Sequence, residues 1–272
     1  MPEVNRADIA VIGGSGFYTF MSQVVETAVP TPYGDPSAPI VFGGVAGRRV
    51  AFLPRHGREH EYPPHRINYR ANMWALRSVG VRRVLGVCAA GSLRAELEQG
   101  AVVVPDQLVD RTYGREKTFV DEGAMHVGFA NPYCPVLRAA VSGAGADIVD
   151  GGTMVVVEGP RFSTRAESQW YAGFGCALVN MTGQPEAVLA RELAMCYAAI
   201  ALVTDRDAGV GDTRPVNQVE VLAAFAGSVD RMRELLISVI EGMPEDRARC
   251  DCAEPFGAGS GPLTMPWEKQ EW

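Results

Sequence analysis

Short runs of apolar residues recur along the chain and are typical of buried β-strands. They are rich in β-branched residues, too short for helices, and most end in Gly, Pro or a polar residue. This pattern predicts strands at residues 8–12, 40–42, 49–53, 83–87, 101–104, 153–157, 177–180 and 199–203.

Helical periodicity fills the intervals between these runs. Thr164 and Glu167 have the spacing of a capping box, and Pro185 suits the first turn of a helix. The pattern predicts helices through residues 67–76 (closing at Gly80), 164–170, 185–197 and 221–240, the last being the longest. Strands that alternate with helices predict an α/β fold with a large, mostly buried sheet.

The chain shows no internal repeat and no linker. We therefore expect one domain over residues 1–242 and a tail over residues 243–272, which is rich in Pro and Gly and lacks periodicity. Such a tail is expected either to wander or to lie on a partner subunit.

Composition narrows the class of protein. The chain has 272 residues, 47% of them hydrophobic and 21% charged, which is typical of a globular protein. Its formal net charge of -7 argues against a non-specific nucleic-acid binder. No apolar run reaches 18 residues, and the N-terminus lacks the features of a signal peptide. We expect a cytoplasmic protein that binds neither nucleic acid nor membrane.

Six cysteines need separate interpretation. Four are scattered among apolar or small neighbours, as buried thiols usually are. Cys250 and Cys252 form a CxC pair, and no His or second Cys pair follows or precedes them closely enough to complete a metal site. The pair is expected to be two reduced thiols on a mobile tail, with a local redox clip as the alternative. No metal site is predicted.

Two candidate anion-binding segments follow predicted strands, where open α/β sheets bind their ligands. The turn at residues 13–16 is rich in glycine, so its backbone N–H groups could converge on an anion, and Ser15 adds a hydroxyl. Arg55 and His56 begin a basic loop over residues 55–60, and the guanidinium fork of arginine matches phosphate. A plain tight turn and an exposed polar loop are the alternative interpretations.

Other strand ends carry different groups. Residues 88–92 are small, and Phe162 could stack on a flat ring or pack against the next helix. Asp205 and Asp207 could point the same way, unless they form a turn or a helix cap. No nucleophile–base pair and no dinucleotide or P-loop spacing accompany them. The inventory suits a reaction in which inorganic phosphate is the nucleophile and no cofactor takes part.

Eight longer motifs are similar to those of a known family. They are IGGSGFY (12–18), LPRHGREH (53–60), INYRANMWAL (67–76), AGSLR (90–94), DQLVDRT (106–112), VEGPRFSTRAES (157–168), NMTGQPEAVLARE (180–192) and VTDRDAG (203–209). They occur in order over about residues 7–239. The chain resembles the trimeric purine nucleoside phosphorylases, which implies a single domain with a central mixed β-sheet flanked by helices.

The resemblance also implies an activity and a set of site residues. Phosphate would attack C1′ of a purine nucleoside, releasing the free purine and a ribose 1-phosphate derivative, in a homotrimer. The phosphate-binding residues would be Ser15, Arg55, His56, Ala89 and Thr182. The nucleoside would contact Met181 under the ribose, Phe162 and Ser163 beside the base, Asp205 and Asp207 at its edge, His60 toward the sugar, and Val221 in the 5′ pocket. His126 would reach the sugar pocket of a neighbouring subunit.

Two positions indicate the base. Relatives that cleave 6-oxopurine nucleosides usually have Glu at position 163 and Asn at position 205, whereas this chain has Ser163 and Asp205, as adenine-specific relatives do. A carboxylate can accept a hydrogen bond from the 6-amino group but opposes a 6-oxo group. Asp205, beside N7, would act as the catalytic acid. This requires a raised pKa.

Other assignments stay open. Cys88 replaces a threonine usual in the adenine-specific relatives. A methylthio substituent at the 5′ position is favoured, and a halogen remains an alternative. The competing functions are cleavage of inosine, guanosine or methylthioinosine, non-catalytic nucleoside binding, and, more distantly, a nicotinamide oxidoreductase.

Overall fold

Within the part of the chain that the structure describes, one mixed β-sheet of eleven strands forms the centre of the molecule. The computed structural model describes residues 5–14, 21–123, 125–211, 215–245 and 250–257. The strands are β1 (Ile9–Gly13), β2 (Ser22–Thr27), β3 (Ile40–Val45), β4 (Arg48–Pro54), β5 (Arg83–Ser92), β6 (Val102–Val104), β7 (Gln107–Arg111), β8 (Ile148–Asp150), β9 (Thr153–Val157), β10 (Cys176–Asn180) and β11 (Cys196–Arg206).

Six α-helices accompany the sheet within the described ranges. They are α1 (Tyr69–Ser78), α2 (Pro135–Ser142), α3 (Arg165–Gly173), α4 (Gly183–Glu192), α5 (Gln218–Gly227) and α6 (Val229–Gly242). The expected capping box is confirmed: Thr164 accepts from the backbone of Glu167, and the Glu167 side chain accepts from the backbone of Thr164. In α4, Gln184 has extended φ and ψ angles, so the regular helix begins at Pro185, as predicted.

Alternate side chains of the central strands supply two separate cores. In β1, Ala10 and Ile12 belong to one core and Ile9 and Val11 to the other, as the period of two in a strand requires. Helices α1 and α4 contribute to the first core, and helices α2 and α6 to the second. The sheet therefore lies between two helical layers. This confirms the expected α/β fold with a mixed sheet flanked by helices.

Strand β5 organises the sheet because it has three strand partners. It pairs in parallel with β11 along its whole length, in parallel with β1 over residues 83–86, and antiparallel with β10 at Gly91 and Ser92. The order across the sheet is β2-β3-β4-β1-β5-β10-β9-β7, and β11 continues to β6 and β8.

Some sequence predictions of the elements are wrong. Residues 88–92 lie inside β5 rather than after it, because the fully paired β11 extends the strand. The apolar stripe over residues 221–240 is two helices that meet at Ser228, so Val221 lies in α5 and not in the last helix. Strands β2, β7 and β8 were not predicted, since each has exposed positions that break the apolar pattern. Helix α2 was also not predicted.

The described part of the tail packs on its own domain. The Arg83 guanidinium donates to the carbonyl oxygens of Pro244, at 2.5 Å, and of Glu245. Further along, Cys252 is buried, and the Pro255 carbonyl accepts from the backbone N–H of Gly128 at 3.0 Å. The prediction that Cys250 and Cys252 sit on a mobile tail is therefore wrong. No helix in the described ranges is both long and apolar enough to cross a membrane.

Candidate active site

A pocket opens where two strands on the same side of β5 end at the two ends of one stretch of that strand. Strand β1 runs parallel to β5 and β10 runs antiparallel to it, so their carboxyl ends approach each other along residues 87–90 of β5. Within the described ranges β5 has no strand partner here on that side, and side chains donate to its carbonyl groups instead. Arg55 donates to the carbonyl of Val87 at 2.7 Å, and Asn180 donates to that of Ala89 at 2.8 Å. The gap in the sheet is the floor of the pocket.

Arg55 lies at one side of this floor in a buried ion pair. Its Nε and Nη2 donate to the two carboxylate oxygens of Glu186, at 2.5 and 3.0 Å, and Arg55 is only 2% exposed. Nη2 also lies 3.5 Å from the carbonyl of Ile12. With the bond to Val87, four of the five N–H groups of the guanidinium have protein acceptors. The guanidinium fork, which the sequence suggested for phosphate, is thus directed at Glu186. Among the described residues, one N–H group of Arg55 has no protein acceptor and is left for a ligand.

His56 lines the pocket next to Arg55. Burial first, and then the positive charge of Arg55, lower the pKa of His56 to about 4, so the ring is neutral at pH 7. Its Nδ1 lies 2.8 Å from the Tyr62 carbonyl, which can only accept, so Nδ1 carries the proton. The lone pair of Nε2 is therefore left for a ligand. The ring stacks on His60, with centroids 4.5 Å apart.

Asn180 fixes the loop between β10 and α4. Its Oδ1 accepts from the backbone N–H groups of Thr182 and Gly183, at 2.8 and 2.7 Å, while its Nδ2 holds Ala89. This fixes Thr182 as the residue before α4, close to the regular helix that begins at Pro185. The amino end of the helix, Arg55 and His56 together form a phosphate-sized polar corner.

Asp205 and Asp207 line the pocket at the end of β5, where Asp205 pairs with Gly91 and the backbone N–H of Asp207 donates to the Ser92 carbonyl. The pairing register of β11 on β5 shifts between Val203, which pairs with Ala90, and Asp205, which pairs with Gly91. A Cβ atom added at Gly91 would lie 3.1 Å from Oδ1 of Asp205 and 3.3 Å from Cβ of Asp207. Only glycine at position 91 allows the carboxylates to pack so closely against β5. The prediction that both side chains point to one place is confirmed.

The two carboxyl groups differ in their surroundings. Burial, and to a lesser extent the charge of Asp207, raises the pKa of Asp205 to about 6, although the hydroxyl of Thr204, donating at 2.8 Å, opposes the shift. Burial also raises the pKa of Asp207, although Ser168 donates to its Oδ2 at 2.6 Å. The hydroxyl of Ser163 is buried near Asp207 without a hydrogen bond of regular geometry, which leaves it available to a ligand.

Apolar side chains form the remaining walls. Phe162 and Met181 lie on one side, and helix α5 covers the pocket with Val221, Leu222 and Phe225. Cys88 is buried in the floor, and burial raises its pKa to about 12, so it stays a thiol and is no nucleophile at neutral pH. The pocket therefore has a polar corner, an acidic edge and an apolar wall, which suits a ligand that is flat and only partly polar.

Most residues predicted from the sequence meet in this one pocket. They are Arg55, His56, His60, Ala89, Phe162, Ser163, Met181, Thr182, Asp205, Asp207 and Val221. Ser15 lies outside the described residues, although its neighbour Gly14 lines the pocket. His126 is exposed and does not line the pocket of its own chain. The ligand roles of these residues remain predictions.

Sequence reasoning missed the residues that hold the others in place. Glu186 pairs with Arg55, Asn180 fixes Thr182, and Ser168 donates to Asp207. All three lie inside the motifs quoted above. Glu186 and Ser168 each contact a partner more than 30 residues away, and Asn180 closes a tight local turn. The sequence alone gave no clear signal for Glu186, because Gln184, Arg191 and Glu192 of the same helix are buried as well.

A mixed sheet between two helical layers, with a pocket at its centre, is the architecture of a known class of enzymes. The chain belongs to the phosphorylase superfamily, whose sequence model matches residues 8–241. It is an enzyme of the pentosyltransferase type.

Individual relatives narrow the comparison. The chain is 59% identical over 265 residues to the S-methyl-5′-thioadenosine phosphorylase of Mycobacterium tuberculosis, covering 97% of this chain and 98% of the relative. It is 52% identical over 275 residues to a purine nucleoside phosphorylase of Streptomyces coelicolor, covering 96% and 98%. A methylthioadenosine phosphorylase from Schistosoma mansoni, solved in complex with adenine, superposes with a TM-score of 0.81 at 37% identity, covering 86% of this chain and 91% of that one.

Proposed function

We propose that the protein cleaves S-methyl-5′-thioadenosine with inorganic phosphate, giving adenine and 5-methylthioribose 1-phosphate, a step of purine and methionine salvage. The observation that carries this proposal is that one pocket is lined both by Asp205 and Asp207, of which Asp207 is buried, and by Arg55, His56 and Thr182. The names of several relatives with high coverage support it.

Phosphate would bind in the polar corner. The remaining N–H of Arg55, the start of α4 at Thr182 and the neutral ring of His56 offer donors and one acceptor. The lone pair on Nε2 of His56 can accept the P–OH hydrogen of monohydrogen phosphate, which orients an unprotonated oxygen toward C1′. Ser15 and Ala89 would complete the cradle.

The nucleoside would lie across the floor with its base at the acidic edge. As a phosphate oxygen bonds to C1′, the bond from C1′ to N9 breaks and its electron pair moves into the purine. Asp205, with a pKa raised to about 6, would protonate N7, and it would recover a proton that originates from the phosphate. Asp207 would accept from the 6-amino group, with Ser163 and Phe162 beside the base and Met181 and His60 beside the ribose.

Helix α5 would surround the 5′ substituent. Its pocket-facing side chains are apolar, which favours a methylthio group over a hydroxyl group. Phosphate and nucleoside are the only reactants that we propose for this chemistry, with no cofactor.

The active form that we propose is a homotrimer in the cytoplasm. Tyr113, Trp170 and Phe174 are 85%, 48% and 74% exposed in the single chain, and such large apolar side chains are typical of subunit contacts. His126 would then reach a neighbour's sugar pocket. None of the six cysteines, all of them in the described ranges, is in a disulfide, which suits a reducing compartment.

The test is release of free base from methylthioadenosine, adenosine, inosine and methylthioinosine, with and without phosphate. We expect strictly phosphate-dependent cleavage, with the highest kcat/KM for methylthioadenosine. A preference for inosine or methylthioinosine would instead assign the 6-oxopurine activity suggested by the name of the Streptomyces coelicolor relative. Release without phosphate would exclude phosphorolysis.

A further inference from the structure

Four cysteines from three separate segments of the chain meet at one point, and none of them lines the pocket. Their sulfur atoms all lie within 4.8 Å of one another; we refer to Cys134, Cys196, Cys250 and Cys252 as the thiol cluster. Three of the four are buried, and Cys250 is partly exposed. The proposed function does not use them, because Cys196 begins β11 and Asp205 lies about 30 Å further along that strand.

The backbone places each thiol firmly. Cys134 is the residue before α2, and its N–H donates to the Tyr197 carbonyl at 2.8 Å. Cys196 donates from its N–H to the Arg82 carbonyl, also at 2.8 Å, at the first position of β11. The CxC pair comes from the tail, whose described residues are anchored on either side through Arg83 and Gly128. The cluster thus joins the domain to its C-terminal segment.

The spacing of the sulfur atoms is that of metal ligands rather than of a disulfide. Sγ of Cys196 and Sγ of Cys250 are 3.5 Å apart, whereas a disulfide needs about 2.05 Å. Four sulfurs at about 2.3 Å from a central zinc ion, in a tetrahedron, lie about 3.8 Å from one another. The observed separations, at most 4.8 Å, surround this value. The backbone N–H of Cys252 also donates to Cys250, a contact that would help to stabilise negative charge on the sulfurs.

We propose that the thiol cluster binds one zinc ion in a closed, tetrahedral, structural site. Each thiol loses its proton to solvent as its sulfur bonds to Zn²⁺, so the centre carries two negative charges. Four protein ligands leave no position for a substrate, so the ion takes no part in catalysis. Its role is to attach the tail to the start of β11 and to the end of the loop that carries His126. This role is independent of the proposed nucleoside chemistry.

Metal analysis of the full chain tests the proposal. The protein is purified without chelators and without a nickel column, and its zinc content is measured by mass spectrometry. We expect about one zinc per chain, with at least a tenfold loss in Cys250→Ser and in Cys252→Ser. Cys176→Ser is the matched control, because Cys176 is buried but lies outside the cluster; this variant should keep its zinc.

A second measurement covers the case in which the serine variants do not fold. The wild-type protein is stripped with a chelator under reducing conditions and reloaded with Co²⁺, whose absorption reports tetrahedral thiolate ligands. Stripping should lower Tm, and Zn²⁺ should restore it. Metal-free protein with six reactive thiols would overturn the proposal. So would a mass 2 or 4 Da below that of the reduced chain, which indicates disulfides, or iron in place of zinc. Absence of zinc would not count against phosphorolysis, and absence of phosphorolysis would not count against the zinc site.

Discussion

Asp205 and Asp207 are two residues apart, yet their surroundings suit them to different roles. Asp205 keeps partial access to the pocket and has its pKa raised to about 6, whereas Asp207 is 3% exposed and held by Ser168. A carboxyl group whose pKa is near the working pH can give up a proton during the reaction. A carboxylate fixed by a hydroxyl is better suited to recognise a donor. Substitutions of the two residues should therefore have different effects.

Asp205→Asn should stabilise the fold while it reduces activity. The folded protein raises the pKa of Asp205 from 3.8 to about 6, so an ionised Asp205 costs stability above pH 6. As the pH falls through 6 the folded state takes up a proton, and below about 3.8 both states are protonated. The free energy of unfolding of the variant, from urea titrations, should therefore exceed that of the wild type at pH 7.5, with the difference gone by pH 3.5–4. Equal stability at pH 7.5 would contradict the raised pKa.

Asp207→Asn should change the preference between bases. An ionised carboxylate accepts from the 6-amino group, and an amide can donate to a 6-oxo group. The ratio of kcat/KM for methylthioadenosine to that for methylthioinosine should fall by at least ~10-fold, about 1.4 kcal/mol. Asp205→Ala is the control, since it removes the acid at N7 without adding an amide and should slow both substrates. An unchanged ratio would show that Asp207 does not read the 6-position.

At the scale of elements, the pocket exists because β1 and β10 end opposite each other along β5. Backbone groups that lose a strand partner there are satisfied by Arg55 and Asn180. The same side chains that would hold phosphate therefore also complete the sheet. Helix α5 differs: none of its side chains is buried in the single chain, so it can change without loss of the core.

Arg55→Ala should destabilise the protein as well as raise the KM for phosphate. Removing Arg55 leaves Glu186 buried at 1% exposure with its charge uncompensated by its ion-pair partner. Breaking a buried pair in this way costs about 3–5 kcal/mol. Arg58→Ala is the control, because Arg58 pairs with Glu26 at the surface and its loss should cost less than ~1 kcal/mol. Comparable losses in the two variants, measured by urea denaturation, would refute the role of the buried pair.

Val221→Thr should shift the preference at the 5′ position. Threonine keeps the shape of valine and adds a hydroxyl, which is unfavourable beside a methylthio group and can hydrogen-bond a 5′-hydroxyl. We expect the ratio of kcat/KM for methylthioadenosine to that for adenosine to fall by roughly 10-fold. Val219→Thr lies on the same helix, is 73% exposed and does not line the pocket, so it should leave the ratio unchanged.

At the scale of the whole molecule, a single chain leaves parts of the proposed enzyme unexplained. His126 does not line the pocket of its own chain. In α5, Val219 and Leu222 remain exposed beside that pocket. Both observations are accounted for if a neighbouring copy covers α5 and receives His126. The proposed trimer thus makes a prediction about shared sites.

Mixed trimers should recover activity that neither variant has alone. His126→Ala removes a residue that is donated to the neighbour, and Asp205→Ala removes one that stays in its own pocket. Subunits of the two variants, dissociated and reassembled together, should form some pockets with both residues intact. Activity well above that of either parent is the expected result. A fully active monomer by light scattering would rule out subunit exchange.

The sequence by itself determined the layered α/β class, most strand positions and the residues that gather in the pocket. These depend on local patterns: apolar runs with a period of two, caps such as Thr164 with Glu167, and motifs long enough to be specific. Tertiary structure alone decided the length of β5, the break at Ser228, the pairing of Arg55 with Glu186 and the meeting of the four cysteines. The physical reason is that these features depend on contacts between segments 54 to 131 residues apart or on how helices pack, and a single sequence contains no local signal for which distant groups will satisfy one another.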